Sequence, residues 1–153
     1  MKTLYFDIDG TVLLDNQQAV KPRLGQGEFE TAIRSAGFNR MVCVGNFCRI
    51  AALAAELIPN YPKYDVLMNL CRGALLDADW VRRRTTFVED AETRAAFIDL
   101  SGDWWYLDDL AAHYCQLAGM TKVYTANIGT RICAPAPRGD GADVLEWLQR
   151  ATP

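Results

Sequence analysis

The sequence predicts an α/β protein, a three-layer, Rossmann-like arrangement with helices on both faces of an open, mostly parallel sheet. Three observations lead there. Short apolar runs, partly β-branched or aromatic, alternate along the chain with longer stretches of helical periodicity. The short runs are apolar almost throughout, as strands covered on both faces are. The length of 153 residues, half of them apolar and 23% charged, suits one domain with a single sizeable core. No repeat, low-complexity segment or linker divides the chain, so residues 1–153 are read as one domain.

Taken in order, strands are expected over residues 3–8, 40–44, 85–88, 104–107 and 122–125. Helices are expected over 28–36, 47–58, 64–77, 91–100, 110–118 and 141–150. Gly37 and Gly119 follow two of these helices where a left-handed closing residue is favoured, and Pro59 stops another. Asp90 is placed to cap the helix that carries Arg94. The long irregular piece, "LLDNQQAVKPRLGQG" at residues 13–27, has the length and composition of a functional flap.

Bulk properties exclude some classes. A net charge of −3 and a pI near 5.1 give no general nucleic-acid footprint, and Arg82, Arg83 and Arg84 read as solvated surface. The opening residues contain no apolar signal core, and no run of about 18 apolar residues occurs, so no membrane partner is expected. Cys43, Cys48, Cys71, Cys115 and Cys133 are odd in number and lack CxxC spacing, which suits reduced thiols in a cytoplasmic protein. The single histidine, His113, follows no metal-ligand spacing and reads as a surface or structural residue. Lys21 and Arg23, in the flap, read as solvent-exposed, and Trp104, Trp105 and Tyr106 as strand residues in or near the core.

The chemistry concentrates at strand ends. In doubly wound sheets ligands bind beyond the carboxyl ends of strands. The first strand finishes in Asp7 and Asp9, the second in Gly45 and Asn46, and "WWYLDD" in Asp108 and Asp109. A strand built only for packing avoids carboxylates, because an unpaired buried one costs several kcal/mol or takes up a proton. Four carboxylates about 5 Å apart repel by roughly 3 kcal/mol per pair at an effective dielectric near 20. A divalent cation offsets this, and hard oxygen ligands with room for water suit Mg²⁺.

"DIDGT", residues 7–11, resembles the DxDGT signature of the haloacid dehalogenase-like hydrolases, and the resemblance runs along most of the chain in the right order. It implies a HAD-like fold and a phosphomonoester hydrolase. Asp7 is then the nucleophile that forms an aspartyl phosphate, and Asp9 protonates the leaving oxygen and later activates water. Thr11 belongs to the same motif and is assigned with the substrate-binding residues. By the same resemblance the Asp7 side chain, the Asp9 carbonyl and a carboxylate of the Asp108–Asp109 pair hold Mg²⁺, with Asp108 favoured as direct ligand. A second alignment uses Asp103 and Asp108. Arg94, 14 residues before Asp108, matches the basic residue that neutralises nucleophile and phosphate, with Lys63 as runner-up.

The sequence departs from the family where its second strand ends. Gly45 stands where the family has Thr or Ser, with Asn46 next as a candidate side-chain donor to phosphate. Backbone N–H groups there still cradle an anion, but one hydroxyl hydrogen bond is missing, worth about 1–2 kcal/mol. Between Asp9 and Gly45 lie 35 residues, and between Gly45 and Arg94 another 48, too few for a large cap domain. A cap-less phosphatase is the leading expectation, its phosphorylated substrate of undetermined size. A catalytically weak or inactive phosphate-binding or protein-interaction domain and a phosphotransferase are the alternatives.

Overall fold

The computed structural model describes residues 1–8, 10–15, 20–25, 27–45, 84–87, 92–136 and 139–153. Among them, a five-stranded sheet is built from β1 (Lys2–Phe6), β4 (Arg40–Cys43), β5 (Thr85–Phe87), β6 (Asp103–Leu107) and β7 (Ile132–Cys133). Its order is β5-β4-β1-β6-β7, and every neighbouring pair is parallel. The chain starts in the middle strand, steps outward through β4 and β5, then returns to the other side for β6 and β7. The order therefore reverses around β1, the position at whose carboxyl edge doubly wound sheets bind their ligands.

Side-chain alternation divides the core between the two faces of the sheet. Leu4, Phe6, Met41, Cys43 and Leu107 belong to one buried cluster, with Phe29 and Ile33 of α1 (Glu28–Ser35) and Trp147 and Leu148 of a C-terminal helix, Ala142–Arg150. Tyr5, Val42, Val44, Trp104 and Tyr106 belong to the second, with Ala111 and Cys115 of α2 (Ala111–Leu117). A third helix, α3 (Thr121–Asn127), contributes the partly buried Val123 and Tyr124 to that second cluster, and the C-terminal helix is α4. Trp104 and Tyr106 are thus core residues, and Trp105 packs against the first cluster with its ring edge-on to Trp147. Lys2 crosses between helix ends, donating hydrogen bonds to the carbonyls of Ala36 and Ala151. Gly37 (φ 78°) and Gly119 (φ 69°) close α1 and α2 in the left-handed conformation.

Several sequence expectations need correction. Residues 122–125 lie within α3, not in a strand, and the fifth strand is the two-residue β7. The β propensity of "KVYT" yields because Val123 and Tyr124 reach the core from a helix lying on the sheet, where tertiary burial outweighs local preference. The helix expected over 91–100 is a single 3₁₀ turn, Arg94–Phe97, preceded by Thr93, with no side-chain cap hydrogen bond. The piece after β1 forms a small antiparallel hairpin of β2 (Leu13–Asp15) and β3 (Val20–Pro22). Arg23 is buried at 6% exposure, not solvated. Cys43 is disulfide-bonded, so the five cysteines are not uniformly reduced. Cys115 and Cys133 are free thiols, and burial pushes them up to about 11 and about 12.

The helices expected over 47–58 and 64–77, Pro59, Asp90, and most of the interval judged too short for a cap lie outside the described residues. Among the described residues no helix is long and apolar enough to cross a membrane.

Candidate functional site

Three backbone hydrogen bonds carry the parallel ladders past the strands and align their carboxyl ends. Asp7 N–H donates to the Leu107 carbonyl (2.9 Å), Val44 N–H to Phe6 (2.8 Å) and Asp108 N–H to Cys133 (3.1 Å). Asp7, Gly45 and Asp108 are consequently brought to one edge by register alone. After Asp7 the chain turns sharply, with the amides of Thr11, Val12 and Leu13 all directed to the Ile8 carbonyl. Gly10 makes this turn at φ 74°, and a Cβ there would lie 2.6 Å from Asp109 Oδ2. Only glycine lets the turn pass so close to the carboxylate.

Arg94 is the centre of the site. Its Nη1 lies 3.3 Å from Asp7 Oδ1 and 3.2 Å from Asp108 Oδ2, and all three side chains are buried. Its guanidinium carbon sits 3.6 Å from the ring centre of Tyr114 on α2, a stacked cation–π contact. Asp108, 0% exposed, also accepts hydrogen bonds from the Tyr106 hydroxyl (2.7 Å) and the Leu110 amide (2.8 Å). Asp109 is held by Thr11, whose hydroxyl donates to Asp109 Oδ1 and accepts from the Asp109 amide, both at 3.0 Å. Carboxylate oxygens of Asp7, Asp108 and Asp109 fall within 4.8 Å of one another. As a donor set, three hard carboxylates at that spacing fit a divalent cation of the Mg²⁺ type.

The electrostatics show the same surplus of negative charge. Burial, reinforced by Asp108, pushes the Asp7 carboxyl well above the ordinary carboxylate range, with Arg94 opposing. Burial also raises Asp108, against the pull of Arg94 and the Tyr106 hydrogen bond. For Arg94, burial acts downward but the carboxylates of Asp7 and Asp108 outweigh it, so its pKa is raised and it stays charged.

A pH dependence follows. Both carboxyls hold their protons more tightly folded than unfolded. Their contribution to stability is complete below the unfolded carboxyl pKa, about 4, and is lost as pH rises through the folded values. Without metal the protein is expected to melt at a lower temperature at about pH 8 than at about pH 5. Millimolar Mg²⁺ should restore the higher value chiefly at pH 8, because the cation binds ionised carboxylates. Calorimetry in chelator and in Mg²⁺ checks this; equal melting at both pH values with no response to Mg²⁺ would refute it.

The structure thus brings Asp7, Thr11, Gly45, Arg94, Asp108 and Asp109 to one edge. Asp9, Asn46 and Lys63 lie outside the described residues. Asp103 does not join them. It opens β6, paired in register with Lys2 and bridged to Arg131 at 2.9 Å, about 16 Å of strand away from Asp108. His113 is exposed on α2, its ring against Tyr114. Gly45 has φ 112°, and a Cβ there would stand 2.2 Å from Asp7 Oδ1 and 3.0 Å from Arg94 Nη1. The Asp7–Arg94 pair therefore takes up the space that a Thr or Ser side chain would need.

Three site residues escaped sequence reasoning. Tyr106 carried a signal, since two residues before Asp108 on an extended chain is the same side of the strand. Tyr114 and Arg23 carried none, because their contacts are set by helix docking and by a loop 113 residues further on. A groove of about 510 Å³ between α1 and α4 is lined by Thr31, Ala32, Ser35 and Leu145, and brings no cluster of charged donors together. The charged cluster lies instead at the sheet edge. In comparisons with known proteins, no family model, curated protein or solved structure matches the chain.

Proposed function

We propose that this chain is a Mg²⁺-dependent phosphomonoester hydrolase of the haloacid dehalogenase-like type, acting through an aspartyl phosphate on Asp7. The observation that carries the reading is the gathering of the Asp7, Asp108 and Asp109 carboxylates within 4.8 Å of one another at the carboxyl edge of the central strands, with Arg94 paired to Asp7 and Asp108. Among the described residues, three ionised carboxylates beside one guanidinium carry a net charge of two minus, which a divalent cation complements. The strand order, with β1 between the strands that deliver Gly45 and Asp108, supports the Rossmann-like reading.

In this reaction an Asp7 oxygen forms a bond to phosphorus while the bond from phosphorus to the substrate oxygen breaks. Asp9, by the resemblance, gives its proton to that leaving oxygen. Water then attacks the phosphoryl group, losing a proton to Asp9, and the Asp7–phosphorus bond breaks to release inorganic phosphate. Arg94 holds the Asp7 carboxylate in place and offsets its repulsion from the incoming anion. Tyr114 keeps the guanidinium plane fixed, and Tyr106 and the Leu110 amide hold Asp108. Mg²⁺ bound by Asp7 with Asp108 or Asp109 would supply charge neutralisation at the phosphoryl oxygens.

Gly45 favours the second reading, a phosphate-binding or interaction domain without turnover. Phosphate release from a broad phosphomonoester panel, with and without Mg²⁺, decides between them. Metal-dependent release is the expected result. Mg²⁺ binding with no release from any substrate would favour the second reading, and product analysis with an added alcohol acceptor separates hydrolysis from transfer.

A further inference from the structure

Arg23 makes an unusual set of contacts for a buried cation. All five of its N–H donors meet backbone carbonyls, and none of these acceptors is a carboxylate. Nε donates to Thr11, and Nη2 to Gly10 (2.9 Å) and Ala136 (2.8 Å). Nη1 donates to Gly139 (3.1 Å) and Asp140 (3.4 Å). Burying an ion costs several kcal/mol before any compensation. Although the charges of Asp143, Asp109 and Asp140 offset part of this, none of them accepts its hydrogen bonds, so the choice of five backbone carbonyls calls for a geometric reason. The fork supplies one. It ties the turn at residues 10–11 to the loop that leads into α4, at the base of the β2–β3 hairpin, where the Arg23 amide also donates to Val12 (2.8 Å).

The tied turn carries Thr11, whose hydroxyl makes two hydrogen bonds to Asp109. Gly10, the other tied residue, passes against the Asp109 carboxylate with no room for a Cβ. The fit is tight on the far side as well, since a Cβ on Gly141 would lie 2.9 Å from the Arg23 carbonyl.

We infer that Arg23 is a positioning residue for the cation site: through the Gly10–Thr11 backbone it sets where the Asp109 carboxylate stands. The inference rests on the divalent-cation reading above. It assigns Arg23 a role in metal affinity with no contact to the metal, and it requires the planar fork rather than the charge.

The test is Mn²⁺ binding, followed by electron paramagnetic resonance, to wild type, Arg23→Lys and Arg23→Gln. Loss of positioning weakens metal binding by about 10–100-fold, the range seen when partners that orient metal ligands are removed. Both variants are expected to show it, although lysine keeps the charge. Thr11→Val cuts the same route at its next link, so its effect should not add to that of Arg23→Lys. Misfolding alone reduces the number of sites and leaves Kd unchanged, which keeps Kd informative for variants that fold in part. Wild-type Kd in Arg23→Lys, or tighter binding in Arg23→Gln, would overturn the inference, since either would make Arg23 only a nearby charge. Failure of wild type itself to bind Mn²⁺ would overturn the cation reading and this inference together, a result distinct from the other two.

Discussion

Asp7→Asn is expected to lower phosphomonoester turnover by at least about a thousandfold while the protein still folds. Asparagine keeps the shape of the side chain but loses the nucleophilic oxygen anion, and no acyl phosphate can form on the amide. Folding should survive, and stability at neutral pH should rise, because one member of a crowded, buried set of carboxylates is neutralised. Arg94 keeps its contact with Asp108, so the guanidinium is not left unpaired. Turnover and thermal melting measured side by side check both halves. Activity close to wild type in Asp7→Asn would exclude the aspartyl-phosphate mechanism. A collapse of folding would show instead that the Asp7–Arg94 pair is chiefly structural.

Gly45→Thr is the second change with a large expected effect, and its sign runs against the family pattern. By resemblance, threonine would bring back the hydroxyl that binds phosphoryl oxygens. The structure puts Asp7 Oδ1 2.2 Å and Arg94 Nη1 3.0 Å from where the new Cβ must go. The backbone at φ 112° is also hostile to a β-branched residue, at a cost of about 1–3 kcal/mol. Gly45→Thr should therefore displace the Asp7–Arg94 pair, cut turnover about a hundredfold and lower the urea midpoint. Enhanced phosphate release in this variant would mean that the pair yields and that the hydroxyl was the missing element.

The two substitutions separate what the site needs from what the fold needs. Asp7→Asn tests the chemistry with the geometry kept, and Gly45→Thr tests the geometry with every charged group kept.

Much of this was legible in the sequence. Short apolar runs at 3–8, 40–44, 85–88 and 104–107 marked four of the five strands, because residues buried on both faces of a parallel sheet leave little room for polar side chains. Asp7, Asp108 and Asp109 stood out because carboxylates that end such strands need a reason. Arg94 came from the resemblance, which places a basic residue shortly before the acidic strand, though on a helix that proved to be one 3₁₀ turn. Residues 122–125 misled because β-branched side chains favour a strand only where strand neighbours receive them, and here the partners are the core beneath a helix.

The sequence by itself determined the α/β fold class and the strand ends at which carboxylates gather, since those follow from periodicity and from the cost of burying charge. Only the tertiary structure decided which charges pair. Register placed Asp108 in the site and left Asp103 at the opposite end of the same strand. The docking of α2 put Tyr114 on Arg94, and the fold brought the carbonyls of Ala136, Gly139 and Asp140 to Arg23. It also turned Gly45 from a missing hydroxyl into the space that the Asp7–Arg94 pair occupies. The reason is physical: pairing, burial and close approach are properties of three-dimensional distance, and residues remote along the chain carry no local mark of the neighbours that folding gives them.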